Sequence, residues 1–545
     1  MKKVNLLLWS VILFTISCSD ETTVFSDPQD EIQLEKSDLI LKNSVVYDAS
    51  GVLDIAEEDI ISGKSASSGK VDEAGDYPLT LVAQINAPTF RGGENLTATH
   101  VHVDGDYAYV SYNTALDGYA GAIDIINIRN PLEPSVTSRL YYSNADINAV
   151  EYNDGYVYAV GGVDSEKSVR ATSNSFVAKI PVSGGRMNTS AIIYGFQEGF
   201  NSTDVEVTPI QVVVSSGGDG TLTIYDKRDL SVVREAPFQD LRSVAMNNGQ
   251  FAVLDAGIGV SILDSELNIT KEIAINTDFG AGTKRTLAFN GDEVLVPEGT
   301  KGAGLYSVSS GSLIEYIPIL IDPNSTSSEG RETNAVASNE EVILMANGGA
   351  GLCLAEDKGN GSDLVGIIDL EGSINYVESK GDYIFAASGK KGLQIIKLNR
   401  PSQSLAEECS SLDIYDGSSK LVINEGQDIA FRGSKRFGSI KVSGSLLMCG
   451  SWTVRNDVDV IENGLMEMNG TLVVGSNRKR KKITVEAGAV LRIEGNLTIY
   501  GDLELKDNST IEFIGSNSVV NIFGDVNIDD NVTISGDFDD AKNKF

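Results

Sequence analysis

The chain has 545 residues, more than one hydrophobic core organises, since single cores stop growing at about 250–300 residues. Its 43 Lys and Arg stand against 77 Asp and Glu, a formal net charge of −34, which argues against binding nucleic acid or resting on an anionic membrane surface, because both need cations to meet phosphates. An apolar fraction of 41% supports folded cores, and 55 Gly with only 12 Pro suits a chain of many tight turns.

The N-terminus reads as a targeting segment that stands outside the fold. Lys2 and Lys3 precede an apolar run, Val4 to Ile16, that is too short for a spanning helix. The run ends at Thr15-Ile16-Ser17-Cys18. This resembles a bacterial lipoprotein signal over residues 1–17, which implies lipidation of Cys18 and anchoring in the outer membrane. The acidic residues just behind it, Asp20 and Glu21, are similar to the surface-export signal of Bacteroidota lipoproteins, which implies a body facing the cell exterior. Residues 18–76 then read as an acidic, flexible tether, with Ser62–Gly75 carrying linker chemistry. The patches Leu39-Ile40-Leu41 and Val45-Val46-Tyr47 could form a local hairpin within it.

From about residue 77 to 401 one unit returns seven times. Its second strands align at Tyr107–Ser111, Tyr156–Val160, Gln211–Ser215, Phe251–Asp255, Glu293–Pro297, Val342–Ala346 and Tyr383–Ala387. Apolar and polar residues alternate in each, and turn residues such as Asp104-Gly105 separate the strands. One such unit cannot bury both faces of its sheet, so neighbours must stack on it. Seven four-stranded units closing on themselves make a β-propeller. The seventh lacks a fourth strand before Pro401, and the lone strand Pro78–Ile85 is expected to complete it. The unit resembles the LVIVD-repeat family of bacterial propellers, through Gly105–Val110, Gly392-Leu393-Gln394-Ile395-Ile396 and the double-Pro turn Asn130–Pro134. That resemblance implies an extracellular propeller without a defined general activity.

Residues 402–545 change character. Short strands, many opening on a glycine (Gly444, Gly470, Gly495, Gly501, Gly524), follow one another with no room for helices. This suggests a β-solenoid, right-handed and β-helix-like, with a small β-sandwich as the alternative. The whole chain is therefore expected to be all-β.

Chemistry is sparse. The only histidines, His100 and His102, lie two apart on the first inner strand, on one face and about 7 Å apart. They suit a metal pair only if a carboxylate such as Asp146 or Glu151 joins them, and no metal or cofactor is assigned. A column at the start of the inner strands is polar in every unit: Thr99, Asn148, Thr203, Arg242, Arg285, Asn334 and Asn375. Inner strands surround a propeller's channel, so Arg242 and Arg285 could grip an anion at its mouth. Alternatively, Asp146, Asp240 and Glu332 pair the arginines into a closed ion network. Cys353 reads as a small core residue, and Cys409 with Cys449 as a candidate disulfide. The tract Arg478–Lys482 reads as a solvated loop or an anionic-polysaccharide contact. Tyrosines such as Tyr107 and Tyr109 read as packing, and Trp452 is the one tryptophan beyond the leader.

No catalytic constellation is assigned, so the expectation is a lipid-anchored surface protein that binds or scaffolds through its propeller. Its partner would be an extracellular glycan or protein, with no nucleic acid. The alternatives are an extracellular polysaccharide hydrolase or lyase, and an adhesin using the solenoid tail.

Overall fold

A computed structural model describes the chain from residue 32 to 545, except 48–50, 53–54, 58–78, 90–92, 94, 116–117, 169, 281–283, 321–329, 340–341, 358–361, 369, 371, 399–408, 410, 462 and 516–517. The leader, Cys18 and the acidic residues behind it lie outside the described residues. What is described is strands and the turns and loops that join them, with one short helix and two 3-10 turns.

Seven antiparallel sheets form a propeller. The first blade runs from its inner strand Thr97–Asp104 through Tyr107–Asn113 and Gly121–Asn127 to its outer strand Ser135–Tyr142. The inner strands of the next six blades are Ala145–Asn153, Asn201–Val207, Leu241–Asn247, Ala288–Asn290, Arg331–Asn339 and Tyr376–Lys380. Period-two alternation sends apolar side chains to both faces of each blade, because each blade is covered by a neighbour on either side. Between each pair of adjacent blades lies one buried apolar cluster, and these seven clusters close the circle.

The ring is closed by a strand from before the first blade. Leu79–Ile85 pairs antiparallel with Leu393–Leu398, placing Ile85 opposite Leu393 and Leu79 opposite Leu398. The seventh blade thus takes its outer strand from the N-terminal side of the ring, which removes an open edge.

The segment expected to be a free tether is partly ordered against the propeller. Ile32–Leu34 pairs with the outer strand of blade one. A one-and-a-half-turn helix, Asp38–Asn43, follows, capped by Ser37 Oγ accepting from the Ile40 amide. Val45–Val46 and Gly51–Val52 both pair with Leu79–Ile85 of blade seven, and Ile55–Glu57 pairs with blade six. Val45–Val46 therefore pairs with the propeller rather than with Leu39–Leu41. The physical reason is that the outer edges of these blades offer unpaired amides and carbonyls that a nearby extended segment satisfies.

The C-terminal region is a β-solenoid of stacked parallel rungs with two sheets. One sheet runs through Lys420–Ile423, Ser439–Val442, Val458–Val460, Ile483–Val485, Leu503–Leu505 and Val526–Ile528. The other is built on the ten-residue strands Asp428–Phe437, Ser445–Val454, Leu465–Val474 and Val490–Ile499. Gly470 and Gly495, expected to open strands, sit instead in the middle of them. Gly433, Gly450, Gly470 and Gly495 lie in register with φ between +117° and +122°. Each long strand bends there, and the stacked backbones approach so closely that a Cβ on Gly470 would lie 2.2 Å from the Gly450 carbonyl oxygen. Below this ladder the interior fills with Trp452, Leu472, Leu497 and their neighbours. Cys409 and Cys449 form a disulfide at the first rungs, and Cys353 is a buried thiol in blade six.

The solenoid packs on the propeller where the N-terminal arm runs. Tyr500 donates its hydroxyl to the Tyr47 carbonyl (3.2 Å), and the Tyr47 ring meets Phe523 edge-on at 5.6 Å. From the C-terminal tail, Lys542 pairs with Glu133 of blade one and lies 4.7 Å over the Phe523 ring.

Candidate functional site

The polar column at the inner-strand starts has a local cause. In the first four blades the register between inner and second strand slips by one residue, and the extra residue is Thr99, Asn148, Thr203 or Arg242. A bulge of this kind leaves one side chain outside the alternation and re-aims it. Here the re-aimed side chains reach sideways to the next blade. Thr99 donates to the Ile147 carbonyl (2.9 Å), Asn148 to Ser202 (2.9 Å) and Thr203 to Leu241 (3.3 Å). Asn334 donates to Ile374 (3.0 Å), and Asn375 closes the circle on the Ala98 carbonyl of blade one (2.8 Å). The column is thus a ring of staples between blades.

The two arginines belong to the same ring. Arg242 Nη2 bonds the Gly280 carbonyl (2.7 Å) and Asp240 Oδ2 (2.6 Å). Arg285 Nη1 bonds Asn334 Oδ1 (2.8 Å), and its Nη2 pairs with Glu332. Only 1% of Arg285 is exposed, and that burial lowers its pKa against the pull of Glu332. Each arginine therefore has a carboxylate partner.

Around this ring opens a cavity of about 500 Å³ at the channel mouth. Of the residues singled out from the sequence, Thr99, Asp146, Asn148, Thr203, Asp240, Arg242, Asn334 and Asn375 line it. Arg285, His100 and His102 do not appear on its wall. Contributors that had not been singled out include Lys284, Asn201 and Phe200. Lys284 adjoins Arg285 in sequence, so the column itself could have drawn attention to it. Phe200 carried no periodic signal, because it precedes the inner strand of blade three.

Lys284 reaches across the channel from blade five. Its Nζ lies 3.4 Å from Asp204 Oδ1 of blade three and 3.4 Å from the Asn148 carbonyl of blade two. Burial lowers its pKa, and Asp204 partly restores it. Nearby, the His100 ring packs against Tyr376 at 3.8 Å. Burial and the neighbouring Lys284 hold His100 well below the usual imidazole range, so it is neutral at physiological pH.

A second layer follows two residues further along the inner strands. His102, Glu151, Glu206 and Glu378 occupy equivalent register positions in blades one, two, three and seven. Burial raises all three carboxyls, to about 8 for Glu378. Mutual repulsion adds to this for Glu151, next to Glu206. Burial pushes His102 down to about 4. Asp146, offered as a third partner for the histidines, sits at the mouth instead. There its Oδ1 accepts from the Thr114 and Ala120 amides (3.1 and 3.2 Å), and burial raises it to about 6. Among the described residues no three His, Cys, Asp or Glu side chains converge as a metal-binding group.

The basic tract Arg478–Lys482 lies between solenoid rungs, with Arg478–Arg480 exposed. Lys481 faces Asp457 (3.7 Å) and Lys482 faces Glu504 (3.0 Å).

No family model matches the chain, and no curated protein matches it. Among solved structures it is similar to the WD40 repeats of RRP9, at 12% identity and TM-score 0.43, over 60% of this chain and 99% of that one. It is also similar to the WD40 β-propeller domain of Doa1, at 14% identity and TM-score 0.41, over 58% and 97%. The computationally designed Ika8 protein aligns at 12% identity and TM-score 0.35, over 58% and 99%. These similarities concern fold alone.

Proposed function

We propose that this protein is a lipid-anchored binding module on the outer membrane of a bacterium, facing the cell exterior and engaging its ligand at the mouth of the propeller channel. The observation that carries the binding role is the mouth itself. Its wall is polar, is contributed by several blades and is held by side chains already bonded between blades, so little ordering remains to be done on binding. The resemblance of residues 77–401 to LVIVD-type propellers fits an extracellular setting. The anchor rests on the apolar run ending at Cys18 and the acidic residues behind it.

The test of binding uses the purified full chain on an array of extracellular polymers and proteins. A ligand is expected whose capture is blocked by Asn201→Trp, which fills the mouth. Capture of nothing, or capture indifferent to Asn201→Trp, removes the reading. The anchor is tested separately by palmitate labelling in a Bacteroidota host. Label is expected on the chain and absent from Cys18→Ser, and protease added to intact cells is expected to cleave the protein.

A further inference from the structure

Resting on the mouth as the binding site, we propose that its ligand is a neutral saccharide, with one pyranose ring stacked on Phe200. Phe200 is 64% exposed and is the aromatic residue on the cavity wall. The wall beside it is Gly217-Gly218, where a Cβ on Gly218 would come 3.1 Å from the Phe200 Cβ. A bare backbone there keeps side chains off the ring. An exposed aromatic face beside polar groups suits the C–H face of a pyranose, which is apolar on one side and edged with hydroxyls.

The hydrogen-bonding capacity left at the mouth matches hydroxyls. The Asn148, Asn334 and Asn375 amide nitrogens each give one N–H to a backbone carbonyl and keep a second donor. Both bonds accepted by Asp146 fall on Oδ1, leaving Oδ2 to take a proton donor. Asn201, next to Phe200, brings an amide with both donor and acceptor. Charge argues for neutrality. Arg242 already holds Asp240, Arg285 already holds Glu332, and Lys284 faces Asp204. An anion entering would meet Asp146 and Asp240 without a cation to itself, and a cation would meet Lys284 and Arg242. This replaces an anion gripped by the two arginines, because the structure gives each arginine a carboxylate already.

The experiment is saturation-transfer NMR and calorimetry on the purified full chain. The probes are methyl glucopyranoside, galactopyranoside and mannopyranoside, each beside its hexuronate. At least one neutral pyranoside is expected to bind. Its affinity should fall at least tenfold in Phe200→Ala and in Asp146→Asn, persist in Phe200→Trp, and be unchanged in Ile210→Ala, a distant exposed apolar residue. Thermal melts verify that the variants fold. Binding that survives Phe200→Ala overturns the inference. Binding of hexuronates alone overturns it too, while leaving the mouth as a binding site. Silence from every sugar overturns the saccharide and leaves the binding role to the polymer and protein array.

Discussion

At the scale of single residues, the channel stores charge in unusual states. Glu378 is raised from the ordinary carboxyl range to about 8, chiefly by burial. A carboxyl raised in the folded protein binds more protons there than in the unfolded chain. Its contribution therefore favours folding below about pH 4.5 and is lost as pH climbs towards 8. Glu378→Gln should leave stability near pH 5 almost unchanged and raise it at pH 8.5. The gain is expected to be roughly 1–3 kcal/mol, less than the full shift implies because the channel is open to solvent. Denaturant melts of both proteins across that range check it, and parallel curves would show that Glu378 ionises normally. His102, held near 4, acts oppositely, since its penalty grows as pH falls below 6.5, so only the difference between variant and parent isolates Glu378. In blade one, Arg139 grips Asp124 through two bonds of 2.7 Å, with both side chains almost wholly buried. Asp124→Ala strands a buried guanidinium and should cost about 3–5 kcal/mol by chemical denaturation. A loss under 1 kcal/mol would show that water reaches Arg139.

At the scale of elements, the solenoid depends on its glycine ladder. Gly470 combines φ +117° with a carbonyl 2.2 Å from where a Cβ would stand. Gly426 has φ +76° and nothing within 4 Å. Gly426→Ala should therefore cost about 1 kcal/mol for backbone strain alone, and Gly470→Ala more than about 2 kcal/mol for strain plus collision. Equal losses would mean that the stacked rungs move apart freely. In the propeller, the bulge residues turn an element's irregularity into a joint. Asn375→Ala removes the staple from blade seven to blade one and leaves the Ala98 carbonyl without that donor. A loss of about 1–2 kcal/mol is expected, with hydrogen exchange fastest in the strands flanking that seam. Uniform exchange would show that the strand Leu79–Ile85 alone holds the ring shut.

At the scale of the whole molecule, the N-terminal arm and the C-terminal tail meet at one junction. The N-terminal arm lies along blades six, seven and one and presents Tyr47, while the C-terminal tail presents Lys542. Together they hold solenoid to propeller. Tyr47→Ala with Lys542→Ala should loosen the pair, each contact being worth about 1 kcal/mol. Small-angle scattering should then show a larger radius of gyration with both domains still folded. An unchanged profile would place the interface energy elsewhere. Under the proposed anchoring, this arm is also the part nearest the membrane tether.

Periodicity made the architecture legible from the sequence. Alternation along a strand is a local property, seven recurrences of it define blades, and a seventh unit without its fourth strand predicts that Pro78–Ile85 must supply one. The polar column was legible too, because blade alignment superposes Thr99, Asn148, Arg242 and Asn375. What those side chains do was not legible, since a staple is a bond between one blade's side chain and the next blade's carbonyl, and neither the bulge nor the distance has a sequence signature. The ordered arm, the meeting of Glu151, Glu206 and Glu378, the reach of Lys284 to Asp204, and the exposure of Phe200 at the mouth came only with the tertiary structure. Ring closure joins residues far apart in the chain, and only that closure determines which charges are neutralised and which surface is left for a ligand.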